Sequence, residues 1–128
     1  MGQPGSILYV RDTGTCAGRG VFTRQKISAG TLIESCPIIL LDESELSPIQ
    51  ATRLDEYYYL WSVDQKDAAL PLGYGLLYNH SDTPNAYYQR DLDNGIMNYI
   101  AIAEISPGEE NTVNYNGNPA DQTPFQFR

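Results

Sequence analysis

The chain has 128 residues, 41% of them hydrophobic, and a formal net charge of −8. This length suits one folded domain with its own core, and no apolar run approaches the roughly 20 residues that a membrane-spanning helix needs. The negative charge argues against nucleic-acid binding, which requires a basic surface, and favours a basic partner such as a lysine-rich peptide.

The N-terminal part of the chain favours short strands separated by turns that contain glycine. Pro37 interrupts the third predicted strand, and the apolar run after it is typical of a buried strand. The loop between the first two strands contains Gly14, Gly18 and Gly20. The predicted strands in this part are 7–10, 21–23, 31–36 and 38–41.

The middle of the chain contains the one predicted helix. Ser47 can cap its first turn, Pro48 fits the first helical position, and Gln50 lies three residues after the cap. This pattern predicts a short helix that ends near Glu56. The tyrosine-rich run at 57–61 then favours a strand.

The only histidine, His80, lies in a polar stretch at residues 78–85. Residues 81–82 and 83–85 carry turn signals, which predict a tight polar loop rather than a strand interior. Apolar and aromatic residues flank this loop, so its polar side chains are expected at a buried boundary, where ligand sites tend to form. A capped turn with a satisfied core histidine is the open alternative.

The C-terminal part favours a hairpin and one further strand. The turn signal at 93–95, Asp-Asn-Gly, is flanked by β-type runs at 86–90 and 96–102. Residues 111–115 predict the last short strand, and the segment after them is polar.

Composition and local motifs argue against several kinds of site. One histidine and two separated cysteines, Cys16 and Cys36, are too few for a typical structural zinc site, so no metal is predicted. The two thiols suit a reducing compartment. Gly18 and Gly20 permit close approach of a ligand to the backbone. The loop that holds them leads into a strand, so it lacks the helix N-terminus that a dinucleotide-binding motif needs.

Three segments form an ordered set. They are Gly18-Arg19-Gly20-Val21-Phe22, then Tyr78-Asn79-His80-Ser81 with Pro84-Asn85, then Gly108-Glu109-Glu110-Asn111-Thr112-Val113-Asn114-Tyr115. In this order and spacing they resemble the SET domain of protein lysine methyltransferases. The resemblance covers about residues 7–115, and the stretch at 26–34 also matches. Because flanking domains are absent, the chain looks most like the minimal viral and bacterial members.

The resemblance implies a mainly β, β-clip-like SET fold of small curved sheets with a C-terminal pseudoknot and one short helix. It implies a single SET domain over residues 1–128, with a core at about 7–115 and a tail at 116–128. The pseudoknot would bring Asn79 and His80 beside Tyr115, far along the chain.

The resemblance also implies S-adenosylmethionine as the cosubstrate. The backbone at the glycine loop would meet its methionine part, and residues 79 and 80 would hold the adenine end and the amino group. Tyr115 is implied as the catalytic residue, with a hydroxyl that aligns the lysine amine and the methyl group. The implied cofactor-binding residues are Gly18, Arg19, Gly20, Asn79, His80 and Tyr115.

Methyl transfer to lysine requires a neutral amine, although a free lysine has a pKa of about 10.4. An apolar channel favours the neutral form, and aromatic rings can also hold a methylated ammonium group. The chain contains ten tyrosines, which supply candidates for such a channel. The expected substrate-binding residues are Tyr57, Tyr58, Tyr88 and Val113.

The sequence departs from the family pattern in three places. Asn111 stands where an apolar residue is usual, and a buried amide needs partners. Asn114 replaces the commoner aspartate. The cysteine-rich segment that closes the site in many members is absent, so another element must cover the cofactor. Phe125 and Phe127, in the polar tail, are candidates for that lid.

The expected activity is transfer of a methyl group to a lysine of a basic protein such as a histone tail. We expect no direct nucleic-acid or membrane partner, and a homodimer is left open. The expected location is intracellular: the cytoplasm, or a host nucleus if the protein is viral or secreted into a host. The alternatives are a catalytically weak SET-fold module that binds peptide or cofactor, and a small β structural protein.

Overall fold

The computed structural model describes residues 6–123, which form two β-sheets and short helical turns. The α-helix α1 is Leu46–Gln50, and 3-10 turns occupy Glu43–Glu45, Arg53–Glu56 and Gly75–Leu77. The strands are β1 Leu8–Asp12, β2 Arg19–Thr23, β3 Leu32–Leu41, β4 Tyr59–Trp61, β5 Asp67–Pro71, β6 Asn79–His80, β7 Ala86–Asp91, β8 Ile96–Ala101 and β9 Glu110–Val113.

The smaller sheet has the strand order β1-β2-β9-β6, and the larger has the order β4-β5-β3-β8-β7. Strands β6 and β9 run parallel, whereas the other neighbours pair antiparallel. The predicted hairpin is confirmed as β7–β8, and its turn is closed by a bond from the Asn94 amide to the Asp91 carboxylate. The expected architecture, mainly β with one short helix, is also confirmed.

Strand β3 runs through Pro37 without a break, so the predicted interruption is wrong. Pro37 lies where β3 changes its partner from β8 to β5, a position that tolerates the missing N–H. The prediction that the following residues are buried is also wrong, since Ile39 and Leu40 are about half-exposed. This half of β3 extends beyond its pairing with β8, so it forms part of the sheet edge.

The helical segment begins earlier than predicted. Asp42 caps it: its side chain accepts a hydrogen bond from the Ser44 amide, and its own amide donates to the Glu45 carboxylate. This reciprocal pair is a capping box. Ser47 and Pro48 therefore lie inside the first turns rather than at the start. The prediction that the helix ends near Glu56 is wrong, because α1 ends at Gln50 and a separate 3-10 turn, capped by Thr52, occupies Arg53–Glu56.

A stacked pair of buried tyrosines connects the two sheets. The rings of Tyr78, which precedes β6, and Tyr99, in β8, lie 4.1 Å apart and are nearly parallel. The Tyr78 hydroxyl donates to Glu34 Oε1 at 2.7 Å, and the Tyr99 hydroxyl donates to the Gly75 carbonyl at 2.9 Å. A side chain at Gly75 would overlap Pro71. The backbone that leads into β6 is therefore held by packing on both sides.

Candidate active site

The two segments that sequence reasoning placed together do meet, through the parallel pairing of β6 with β9. Asn79 pairs with Thr112, and His80 pairs with Val113. The prediction that residues 79 and 80 belong to a loop is therefore wrong. Their extended conformation depends on β9, a partner about thirty residues away, which local propensity does not encode.

Asn85 holds the 81–85 loop against β9. Its side-chain nitrogen donates to the Glu110 carbonyl at 2.8 Å, and its side-chain oxygen accepts from the Thr112 amide at 2.9 Å. These two bonds replace those that a neighbouring strand would make. Strand β9 consequently lies between β2 and the 79–85 segment, the arrangement that the predicted pseudoknot requires.

His80 orients the backbone of Tyr115. Its Nδ1 accepts a hydrogen bond from the Tyr115 amide at 3.0 Å, so in the neutral ring the proton resides on Nε2. The Nε2 atom lies 3.1 Å from Asp82 Oδ1, which can accept that proton's hydrogen bond. The ring is thus fixed at both nitrogens, and it fixes the start of the C-terminal segment.

Tyr115 is held at three points. Its hydroxyl donates to the Tyr78 carbonyl at 2.6 Å, and its own carbonyl accepts from the Tyr88 hydroxyl at 3.0 Å. The amide contact with His80 is the third. Burial, followed by the nearby Tyr57 and Glu110, raises the pKa of the Tyr115 hydroxyl to about 12. At neutral pH the group is therefore a hydrogen-bond donor rather than a base.

The other predicted substrate-binding residues lie in different environments. Tyr57 and Tyr88 are close enough to Tyr115 to influence its pKa. The Tyr58 hydroxyl accepts a hydrogen bond from Gln50 at the end of α1. The side chain of Val113 is fully buried in the core, so any contact that it makes with a substrate would use its backbone.

Three tyrosines outside the predicted substrate-binding set complete this aromatic region: Tyr59, Tyr78 and Tyr99. Tyr59 packs edge-on against Tyr88 at 4.9 Å, and its hydroxyl donates to the Gly75 carbonyl. Burial raises the pKa of the hydroxyls of these three tyrosines well above the usual value. No local signal predicted that these three side chains lie together, because their proximity depends on how the two sheets meet.

The C-terminal end of the glycine loop, at Arg19 and Gly20, contacts the β6–β9 pair. Gly18 has a φ of +79°, which favours glycine. The Arg19 carbonyl accepts from Asn79 Nδ2 at 2.9 Å, and a Cβ at Gly20 would overlap the Glu110 carboxylate. The missing Cβ of Gly20 thus lets the Glu110 carboxylate and the Asn79 side chain pack directly against the loop backbone.

The described part of the tail folds back onto this region. Asn114 donates from Nδ2 to the Asp121 carbonyl at 2.6 Å, a bond that the commoner aspartate could not make. Asn116 donates to the Thr123 carbonyl, and Gln122 donates to the Asp82 carbonyl at 3.0 Å. Phe125 and Phe127, the predicted lid residues, lie outside the described residues.

Asn111 and Asn114 are both buried but differ in their partners. Within residues 6–123 neither polar atom of the Asn111 side chain has a hydrogen-bond partner, whereas Asn114 also accepts from the Asn116 amide. Asn111→Leu should therefore raise the free energy of unfolding by roughly 1–3 kcal/mol, because it removes an unpaired buried amide. Denaturant unfolding measures this change, and Asn114→Leu, the matched control, should destabilise. A less stable Asn111→Leu variant would contradict this reading.

Among residues 6–123 no group of three or more histidine, cysteine or acidic side chains could hold a metal ion. The helices of the same region are all too short to cross a membrane.

The SET domain family model matches residues 18–116. A histone-lysine N-methyltransferase of Schizosaccharomyces pombe, specific for H3 lysine-37, is 38% identical over 111 residues, which are 86% of this chain and 74% of that protein. The match to the family model includes Gly18, Gly20, β6 and β9.

Solved structures show the same fold. A candidate histone methyltransferase of Plasmodium falciparum superposes with a TM-score of 0.69 at 31% identity, over 86% of this chain and 93% of that one. The Polycomb Repressive Complex 2 of Chaetomium thermophilum bound to GSK126 gives a TM-score of 0.67 at 20% identity, over 84% of this chain and 15% of that one. That second likeness concerns the fold alone. The chain therefore belongs to the SET domain family of protein-lysine methyltransferases.

Proposed function

We propose that this methyltransferase uses S-adenosylmethionine to methylate a lysine of a basic protein such as a histone tail. The observation that carries the proposal is the position of the Tyr115 hydroxyl, which donates a hydrogen bond to the Tyr78 carbonyl beside the β6–β9 pair. The name of the fission yeast relative supports a histone as the substrate class.

The residues present fit the proposed cofactor. The polar groups of Arg19 and Asn79, beside the backbone of Gly20, suit the methionine part. Gly18 and His80 complete the proposed set of cofactor-binding residues. When bound, the cofactor supplies a methyl group on a sulfonium, which a neutral amine can accept by in-line displacement.

The chain itself contributes by orienting the lysine amine and by excluding water from the region around the Tyr115 hydroxyl. Burial that raises the pKa of Tyr115 disfavours a lysine ammonium for the same reason, so an entering lysine should lose its proton more easily. Tyr57 and Tyr88 provide aromatic walls near that hydroxyl. The oxygens of Tyr115 and Tyr78 retain lone pairs that can accept amine N–H groups and so align the amine. Because Tyr115 stays protonated, the amine must arrive neutral.

The test is transfer of a labelled methyl group from S-adenosylmethionine to a histone-tail peptide that contains one lysine. The matched peptide with arginine at that position is the control. We expect label on the lysine peptide alone, with a rate at low peptide concentration that falls as salt rises. Salt screens attraction between a basic peptide and a protein of net charge −8. Equal labelling of both peptides would contradict the proposal.

The tail provides a separate prediction. We propose that residues 116–128 cover the cofactor, since Gln122 contacts the Asp82 carbonyl beside His80. Deleting residues 117–128 should then raise KM for the cofactor several-fold while the truncated protein remains folded. Steady-state kinetics and thermal unfolding measure the two effects. Unchanged kinetics in the truncated protein would rule out a lid.

A further inference from the structure

The carboxylate of Glu110 lies between the glycine loop and β6. Its Oε2 accepts a hydrogen bond from Asn79 Nδ2 at 2.7 Å, and the same nitrogen donates to the Arg19 carbonyl. The carboxylate also packs on Gly20 so closely that any side chain there would displace it. Glu110 is thus part of the wall around the backbone groups proposed for the methionine part.

This carboxylate has no cationic partner within the described part of the chain. Glu110 is partly buried, and no lysine or arginine among residues 6–123 forms an ion pair with it. A carboxylate removed from water is costly unless a positive charge or several donors compensate it. The single donor Asn79 leaves most of its acceptor sites open.

We infer that Glu110 is the counter-charge for the α-ammonium group of the cofactor's methionine part. The assignment rests on the proposed function, because that function places this part of the cofactor at Arg19, Gly20 and Asn79. An ammonium group at this point would meet the Arg19 carbonyl and the Glu110 carboxylate together. The charge of Glu110 also contributes to the raised pKa of Tyr115, so the carboxylate lies within electrostatic range of the proposed reaction centre.

The assignment makes a prediction about two ligands. S-adenosylmethionine and its demethylated product both carry the α-ammonium group, but only the former carries a sulfonium. A carboxylate that pairs with the ammonium should therefore strengthen binding of both ligands to a similar extent. A carboxylate that faces the sulfonium would strengthen binding of the methyl donor alone.

The experiment is calorimetric titration of both ligands into the wild type and two variants of Glu110. Glu110→Gln removes the charge but keeps an oxygen that can accept from Asn79, whereas Glu110→Ala removes both. Glu104→Gln, a substitution at an exposed residue, is the control for net charge. We expect Glu110→Gln to lower the affinity for both ligands by about tenfold or more. Glu104→Gln should bind both ligands as the wild type does. Thermal unfolding without ligand checks that each variant is folded.

Three results would overturn the assignment. If Glu110→Gln binds like the wild type and Glu110→Ala binds weakly, the carboxylate only orients Asn79. If Glu110→Gln lowers the affinity for the methyl donor alone, the carboxylate faces the sulfonium. If the wild type binds neither ligand, the proposed function fails, and the assignment fails with it.

Discussion

Tyr115→Phe should lower the single-turnover rate of lysine methylation by about 10²–10³-fold, by analogy with the loss of one donor from an oxyanion hole. Cofactor affinity should barely change. The substitution deletes one oxygen and keeps the ring, so the contact of the Tyr115 ring with His80 should survive. The lost group is the one that donates to the Tyr78 carbonyl at 2.6 Å. If that hydroxyl positions the amine mainly in the transition state, the rate falls without a matching change in cofactor binding.

Single-turnover methylation of a lysine peptide measures the rate, and calorimetry measures cofactor affinity separately. Tyr87→Phe is the matched control, because it removes a hydroxyl from β7 at a residue outside the proposed site. The control should methylate at the wild-type rate. Methylation by Tyr115→Phe at that same rate would make Tyr115 a packing residue and would refute its catalytic role.

A second large effect should appear at alkaline pH. The pKa of Tyr115 is raised by burial to about 12 in the folded protein, against about 10 in an unfolded chain. The folded state therefore keeps a proton that the unfolded state releases, so this stabilisation is complete below about pH 10 and is lost as the pH rises through about 12. For Tyr115 alone the loss is about 2–3 kcal/mol, at about 1.4 kcal/mol for each pKa unit.

Tyr59, Tyr78, Tyr88 and Tyr99 should add to this effect, since burial raises their pKa as well. The total loss of stability should therefore exceed the loss that Tyr115 causes alone. Denaturant unfolding across this pH range should show a steep loss of stability, accompanied by late ionisation of part of the tyrosine absorbance. Ionisation of all ten tyrosines near pH 10 in a protein that remains folded would contradict the burial described here.

Local patterns predicted the elements whose causes are local. The turn at residues 93–95 identified the β7–β8 hairpin because that dipeptide chemistry fixes the turn itself. The helix start was placed late because the Asp42–Glu45 capping box competes with the weaker signal at Ser47. Strand β5 and the unbroken β3 were missed, because both depend on pairing with strands elsewhere in the chain.

The site was accessible to sequence reasoning only through the resemblance of ordered motifs. The meeting of Asn79 and His80 with Tyr115 requires the parallel β6–β9 pairing, and threaded connections of this kind are rare. Glu110 belongs to the third motif that resembles the family. Its role is indicated only by the contact of its carboxylate with Gly20, which the sequence does not show. Tyr59 and Tyr99 converge on one carbonyl, at Gly75, which no periodicity indicates.

The most direct test of the central claim is mass spectrometry of a mixture of histones and ribosomal proteins after incubation with this protein and S-adenosylmethionine. The account predicts mass increases of one or more methyl groups, located on lysine and absent when the cofactor is omitted. It predicts the same sites, at much lower occupancy, with Tyr115→Phe. Binding of the cofactor without any modified lysine would instead identify an inactive SET-fold module, and would contradict the activity proposed here.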